Sequence, residues 1–321
     1  MKEYRIWFLI LLSSLIVNCV LAQQESELPA SQEAREGFIA VDGGRVWYQI
    51  IGSGNAVPLL VLHGGPGVPH DYLEPLAGLA DERPVVFYDQ LGCGKSDRTQ
   101  DSTLWTVERF VTEVAKVRAA LELDRVHILG HSWGGTLAVD YLLTEPEGVE
   151  SVILAGPYLS NRRWTEDQTR LLAAFPDSLR QVVARNEEAG TTDSEEYQAA
   201  VMAFWNRHIC RLDPWPEYGL RALAGSGDDV YAFMWGASEF CCTGTLRSYE
   251  RTDRLGEIAV PTLLTCGRYD ETPPETVKWY QSLLPGSEMV VFEQSSHTPH
   301  MEEPDAYLKT VRDFINRVES R

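Results

Sequence analysis

The sequence is short of positive charge, of paired cysteines and of repeats. It has 28 lysines and arginines against 47 aspartates and glutamates, and a formal net charge of −19. A surface this acidic repels phosphate groups, which argues against nucleic acid or an anionic membrane as a partner. Six cysteines occur in 321 residues, and no pair of them has the spacing of a metal site. An amine-bearing ligand is easier to reconcile with this composition.

The amino end differs from the rest of the chain. Lys2 and Arg5 precede a mostly apolar run over residues 6–17, and small residues follow it. This order is typical of a cleaved signal peptide, here residues 1–22, so we expect a secreted or periplasmic protein. The run is too short for a comfortable membrane span, and a retained membrane anchor is the alternative. Residues 23–36 are polar and predict a flexible lead-in.

Short apolar runs recur along the chain after residue 57, with helical periodicity between them. They cover residues 58–62, 85–88, 125–129, 151–155, 262–266 and 289–292. Runs of this length that alternate with helices are typical of buried parallel strands in an α/β fold. A hairpin around Gly43 and Gly44 is predicted before them, because apolar and polar residues alternate on both sides of the glycine pair.

The alternation of strands and helices stops between residues 158 and 250. That stretch has helical periodicity around 165–186 and 194–210 and no strand run. The simplest interpretation is a helical cap, 158–250, inserted after the sixth strand of a core formed by residues 37–157 and 251–321. The alternative is a separate helical domain with a function of its own.

Residues 130–134, Gly-His-Ser-Trp-Gly, place Ser132 between a predicted strand and a predicted helix. At such a corner Gly-x-Ser-x-Gly is the nucleophile elbow of serine hydrolases, whereas elsewhere it is an ordinary turn. A serine hydroxyl needs a base, and a third group must orient that base. Asp270 and His297 each follow a later strand, in the chain order that this fold requires. We therefore predict a triad of Ser132, Asp270 and His297.

Other titratable residues compete for two of these positions. His300, three residues after His297, is the rival base, and Glu271 and Asp253 are the rivals of Asp270. Chain order and placement directly after a strand favour Asp270 and His297.

A glycine loop follows the first apolar run, with the sequence Leu-His-Gly-Gly-Pro-Gly at residues 62–67. Glycines here let the backbone turn and offer N–H groups to the oxyanion that forms when a serine attacks a carbonyl group. The amides of Gly65 and Trp133 are the predicted donors. A phosphate-binding loop is the alternative, but the Lys-Ser/Thr pair that such a loop needs is missing.

Together these motifs resemble those of proline iminopeptidases of the α/β-hydrolase fold. They are HGGPG at 63–67, YDQLGCGKSD at 88–97, GHSWGG at 130–135, GRYD at 267–270 and SSH at 295–297. The stretches MWGASEF at 234–240 and GRYDETPP at 267–274 are similar to the tricorn-interacting aminopeptidase and amino-acid amidase branch. The resemblance implies a serine exopeptidase that releases an N-terminal residue, proline or another apolar one, from short peptides or amides. It implies no metal and no organic cofactor.

In that branch, glutamates of the cap and beside the triad aspartate bind the free α-amine of the substrate. The matching residues are Glu239 and Glu271, and a desolvated ammonium does need opposite charge nearby. Aromatic residues that could wall a pocket for an apolar side chain are Trp133, Tyr231, Phe233, Trp235 and Phe240.

One position departs from the pattern of the family. Leu91 stands where many proline iminopeptidases have arginine after the Asp-Gln pair, which weakens a strict proline preference and favours a broader aminopeptidase or amidase. Two other functions remain open. An esterase or lactonase would use the same triad on neutral acyl substrates, and a non-catalytic binding protein would keep the fold without a reactive serine.

Overall fold

The computed structural model describes residues 34–321; the predicted signal peptide, 1–22, and most of the predicted lead-in, 23–36, lie outside this range. The strands have the bounds β1 Ala34–Val41, β2 Gly44–Ile51, β3 Leu59–Leu62, β4 Val85–Tyr88, β5 Val126–His131, β6 Val149–Ala155, β7 Thr262–Gly267 and β8 Glu288–Phe292. They form one sheet in the order β1-β2-β4-β3-β5-β6-β7-β8. This is the mostly parallel α/β-hydrolase sheet that the sequence predicts.

The sheet joins an antiparallel hairpin to a parallel core. β1 pairs antiparallel with β2, and β2 with β4, whereas the neighbours from β4 to β8 are parallel. Each predicted apolar run forms a strand, because parallel strands are buried on both faces and need apolar side chains on each. The lead-in prediction is wrong at its end, since β1 already begins at Ala34. The side chains of residues 34–36 are exposed, so their polarity concealed the strand.

The helices have the bounds α1 Val107–Ala120, α2 Trp133–Leu142, α3 Asn161–Leu172, α4 Asp177–Ala189, α5 Glu195–His208, α6 Glu217–Ala224, α7 Asp228–Met234, α8 Pro274–Leu283, α9 Pro299–Glu302 and α10 Pro304–Glu319. In the described chain, α3 to α7 lie between β6 and β7 and form an insertion after the sixth strand. The single helix expected over 165–186 is two helices, because Pro176 precedes α4 and cannot continue α3. No helix of residues 34–321 is apolar and long enough to cross a membrane.

Side chains of the sheet alternate between two buried clusters. Leu60 and Leu62 point into one, the first core, and Leu59 and Val61 into the other, the second core. Successive residues of a strand face opposite sides of a sheet, so the two cores lie on its two faces. The cap contributes Trp164, Trp235 and Leu246 to the first core. The cap therefore shares the first core with the hydrolase sheet.

Candidate active site

Ser132 occupies a strained corner between β5 and α2. Its backbone has φ 55° and ψ −119°, a positive φ that serine rarely adopts. The Ser132 amide donates to the carbonyl oxygen of Ala155 over 2.9 Å. A Cβ atom at Gly130 would collide with the carbonyl of Gly134, and one at Gly134 would collide with the carbonyl of Leu62. The two glycines are required by close backbone packing, which distinguishes this corner from an ordinary turn.

His297 and Asp270 meet at the carboxyl ends of β8 and β7. The Nδ1 atom of His297 lies 2.7 Å from Oδ1 of Asp270, and both residues are buried. Oδ1 of Asp270 also accepts a hydrogen bond from the Thr272 amide over 2.8 Å, so the carboxylate is held in place. At Gly156 a Cβ atom would lie 2.8 Å from the His297 ring. The pair has the geometry by which an aspartate orients a catalytic histidine.

The rivals for these two positions lie in unsuitable places. His300 is buried among the rings of Tyr72, His131 and Tyr307. Burial, together with nearby His297, lowers the pKa of His300 to about 3, so it would be a weak base. Asp253 is exposed on the surface. Glu271 does approach His297, but at the ring nitrogen that does not face Asp270.

The Nε2 atom of His297 has no hydrogen-bond partner among the described residues, Ser132 included. Both side chains nevertheless line the same cavity, and catalytic hydrogen bonds often form only with substrate present. Oε1 of Glu271 lies 3.5 Å from this Nε2. Burial disfavours the imidazolium, but attraction to Asp270 and Glu271 outweighs it and raises the pKa of His297 to about 9. The Glu271 carboxylate and the His297 imidazolium therefore stabilise each other.

The two predicted oxyanion donors lie beside the serine. Trp133 is the first residue of α2, where an N–H group has no partner within its own helix. Gly65 has φ 112°, and a Cβ atom there would lie 2.5 Å from the Gly67 amide. Both residues line the cavity together with Ser132. The positive end of α2 and the glycine loop thus border the same cavity as Ser132, where negative charge would develop.

Two residues that sequence reasoning did not single out hold these loops together. Gln90 accepts a hydrogen bond from the Trp133 indole over 2.8 Å and donates one to the His63 carbonyl over 2.9 Å. His131 hydrogen-bonds the His297 carbonyl through Nε2 over 2.8 Å. Gln90 lies in the YDQ motif, and that motif was the signal that could have identified it.

The two predicted amine ligands are carboxyl groups in the same cavity. Glu239 accepts hydrogen bonds from the Trp205 indole over 2.8 Å and from the Tyr231 hydroxyl over 2.9 Å. Burial raises the pKa of Glu239. For Glu271, burial raises the pKa to about 8; His297 opposes the shift and the charge of Glu239 adds to it. None of the described residues that line this cavity is a lysine or an arginine, so a ligand that brings a positive charge fits here.

Aromatic side chains form one wall of the cavity, as predicted, although not all from the predicted set. Trp133, Tyr231 and Trp235 line it, whereas the prediction was wrong for two residues. Phe233 is 39% exposed, and Phe240 packs against Phe204 inside the cap. The aromatic lining residues that the sequence analysis missed are Tyr72, Tyr158, Trp164, Trp205 and Trp215.

Leu91 is fully buried in the first core and is not among the residues that line the cavity. Its amide faces the carboxylate of Glu113, which pairs with Arg109. The leucine at this position therefore has no direct contact with the site, and the departure from the family pattern does not by itself decide the substrate preference.

One group in the described chain, outside the site, has metal-like spacing: ligand atoms of His70, Asp71 and Glu74 lie within 4.8 Å of one another. Arg221 contacts Asp71 over 3.1 Å and also pairs with Glu74. His70 bonds to Asp89 over 2.7 Å. These contacts tie α6 to the segment that follows β3, and they use the donor atoms of the cluster.

Comparisons with known proteins agree with this geometry. A family model described as alpha/beta hydrolase fold matches residues 57–304. A proline iminopeptidase of Heyndrickxia coagulans is 50% identical over 285 residues, which is 88% of this chain and 99% of that protein. The crystal structure of VinJ has a TM-score of 0.84 and 36% identity, over 89% of this chain and 98% of that chain. The crystal structure of a proline iminopeptidase from Mycobacterium smegmatis has a TM-score of 0.82 and 35% identity, over 88% and 98% of the two chains.

The strained position of Ser132 predicts that it is the residue that reacts with serine-directed reagents. A fluorophosphonate probe should label the wild-type protein, and Ser132→Ala should abolish the labelling. Ser282→Ala, on the exposed side of α8, is the matched control and should be labelled like the wild type. Mass spectrometry of the labelled peptide locates the probe. Undiminished labelling of the Ser132→Ala protein would contradict the assignment of the nucleophile.

Proposed function

The chain belongs to the proline iminopeptidase family of α/β-hydrolases, and from this premise we propose that it removes N-terminal proline from short peptides or amides. Other apolar N-terminal residues are accepted in the same pocket. The observation that carries the proposal is the pair of carboxyl groups, Glu239 and Glu271, in the cavity that also holds Ser132 and His297. A hydrolase of neutral esters has no need for two acidic groups beside its nucleophile.

The substrate binds with its ammonium group between the two glutamates, whose charges replace the water that the amine loses. Its N-terminal side chain contacts the aromatic wall, where the rings of Trp133, Trp164 and Trp235 offer apolar surface. This anchors the scissile carbonyl carbon at a fixed distance from the amine, next to Ser132. The enzyme is an exopeptidase because a longer N-terminal extension would place an uncharged amide against the glutamates.

The first half of the reaction transfers the acyl group of the substrate to Ser132. The Ser132 oxygen attacks the scissile carbonyl carbon while His297 Nε2 takes the hydroxyl proton, and Asp270 stabilises the imidazolium that results. The amides of Gly65 and Trp133 donate to the oxyanion. When the C–N bond breaks, His297 gives its proton to the leaving amine and an acyl-enzyme remains.

A water molecule completes the cycle. It attacks the acyl carbon and loses a proton to His297; the ester bond breaks, and His297 returns the proton to the Ser132 oxygen. The free amino acid is released. Every proton moves between the substrate, water, Ser132 and His297, and the reaction requires no redox partner.

The amine site predicts a strong discrimination against blocked substrates. The kcat/KM for prolyl anilide should exceed that for its N-acetyl form by about 100-fold or more, because a buried charged pair loses its partner when one charge is removed. Glu239→Gln keeps the contacts to Trp205 and Tyr231 and should narrow this difference. Steady-state kinetics of the wild type and of Glu239→Gln, each on the free and on the N-acetylated anilide, measures this difference. Equal rates on free and blocked anilide would favour the esterase function instead.

The contact of Glu271 with His297 predicts a pH effect. A carboxylate 3.5 Å from Nε2 stabilises the imidazolium and raises its pKa, and the imidazolium cannot act as a base. Glu271→Gln should therefore lower this pKa, so the acid limb of kcat/KM moves to lower pH. A neutral ester as substrate separates this effect from amine binding. Glu275→Gln, exposed on α8, is the control, and an acid limb of Glu271→Gln that coincides with that of the control would refute the interaction.

We also propose that the chain is exported and that residues 1–22 are removed on export. Lys2 and Arg5 ahead of the apolar run 6–17 support this. Expressed from its full sequence in a bacterial host, the protein should be recovered outside the cytoplasm with Gln23 as its first residue, as N-terminal sequencing would show. Recovery in the membrane fraction with an intact amino end would point to the anchored form instead.

A further inference from the structure

The cavity has a second wall that the proposed reaction has not used. One wall continues the first core of the protein and includes Tyr158, Trp164, Trp235 and Leu246. The opposite wall continues the second core, and its members are Val68, Tyr72, Cys210, Trp215, Ala222 and Met301. Ser132 follows β5 in the sheet that separates these two cores. The nucleophile thus lies between two walls of different origin.

The amine-binding groups place the N-terminal residue on the first wall. Glu239 accepts hydrogen bonds from Tyr231, which packs against the first core, and from Trp205, whose ring stacks on Trp215. The carbonyl oxygen of Glu271 accepts one from Gln168 of α3, the helix that supplies Trp164 to the first wall. With the ammonium there and the scissile carbonyl at Ser132, the substrate has used one residue's length, about 3.5 Å of chain. The next residue of the substrate must continue away from the glutamates, toward the second wall.

Helix α6 shapes the second wall. Gly219, Ala222 and Leu223 line the cavity, and their i, i+3, i+4 spacing places them on one face of the helix. At Gly219 a Cβ atom would lie 3.1 Å from the terminal methyl group of Met301, so the small residue keeps this part of the cavity open. Leu220 and Arg221 belong to the other, exposed face of the helix.

The second wall offers nothing to a charged group. Its polar groups are the Cys210 thiol, the nearby Thr298 hydroxyl, the Tyr72 hydroxyl and the Trp215 indole; the last two already bond to Gly64 with His131 and to Asn206. Neither lysine nor arginine occurs among the described lining residues. The carboxylate of a free dipeptide would lie on this wall within one residue of the scissile bond. An unpaired buried carboxylate is costly, and the charges of Glu239 and Glu271 add to the repulsion.

We propose that the second wall is the binding site for the residue after the scissile bond and that it selects an apolar residue whose carboxyl group is amidated or continues into a peptide. This inference rests on the proposed function and specifies its substrates. The preferred class is a peptide with N-terminal proline followed by a large apolar residue, and free dipeptides are poor substrates.

A series of four proline derivatives tests the proposal on the wild-type protein. Prolinamide has no second residue and measures the activity that does not depend on the second wall. The others are Pro-Phe amide, Pro-Gly amide and Pro-Phe with a free carboxylate. We expect kcat/KM for Pro-Phe amide to exceed the values for the last two by about tenfold each, the range in which apolar contacts discriminate between substrates. If prolinamide is hydrolysed and the other three derivatives react at equal rates, the second-wall inference is overturned and the proposed function stands. Failure to hydrolyse any of the four would overturn the proposed function.

A charge placed on the second wall gives an independent test. Leu223→Arg supplies a counter-ion and should raise the rate on free Pro-Phe relative to Pro-Phe amide by about tenfold. Leu220→Arg adds the same charge on the exposed face of α6 and should leave this ratio at its wild-type value. An equal change in both variants, or no change in Leu223→Arg with prolinamide turnover intact, would overturn the placement of the second residue.

Discussion

Two carboxyl groups share a cavity whose described lining contains no lysine or arginine, and this pair of acidic groups organises the site. Burial raises the pKa of Glu239, and it raises the pKa of Glu271 to about 8. The cost of keeping two such groups in an aromatic pocket is recovered when a ligand brings a positive charge. An N-terminal ammonium does so, and in binding it sets the distance between the amine and the carbonyl that Ser132 attacks. Because Glu271 also lies 3.5 Å from His297, the group that binds the amine also influences the base.

The sheet explains how distant parts of the chain reach this cavity. β5, β7 and β8 run parallel and end at the same edge, so the residues that follow them, Ser132, Asp270 and His297, arrive together. The cap adds Glu239 from above, and it is held there because its tryptophans extend the first core. The aromatic residues that hold the cap on the core therefore also line the cavity. Trp164 and Trp235 are in contact with each other, with ring centroids 4.6 Å apart, and both face the substrate cavity.

The sequence predicted the strands because buried parallel strands need continuous apolar runs. It also predicted that Ser132, Asp270 and His297 would lie together, because this fold places its catalytic groups directly after the strands. Contacts between helices were harder to predict. Phe233 and Phe240 were expected at the pocket, but helical periodicity does not say which neighbour a face meets, and the cap turns Phe240 inward against Phe204. Tyr158 could have been found, since it follows β6 closely. Trp205 could not, because its role depends on the fold of the cap around Glu239. The importance given to Leu91 came from the motif alone, and its side chain is buried away from the cavity.

The most direct test of the whole account is a crystal structure of the protein with a boronic acid analogue of proline, in which boron replaces the scissile carbonyl carbon. We expect a covalent bond from the Ser132 oxygen to boron and a hydrogen bond from His297 Nε2 to the boronate. We also expect one boronate oxygen within reach of the Gly65 and Trp133 amides, and the proline nitrogen between Glu239 and Glu271. A boronate bound to Ser132 with its ring nitrogen directed toward the second wall, away from both glutamates, would contradict the account.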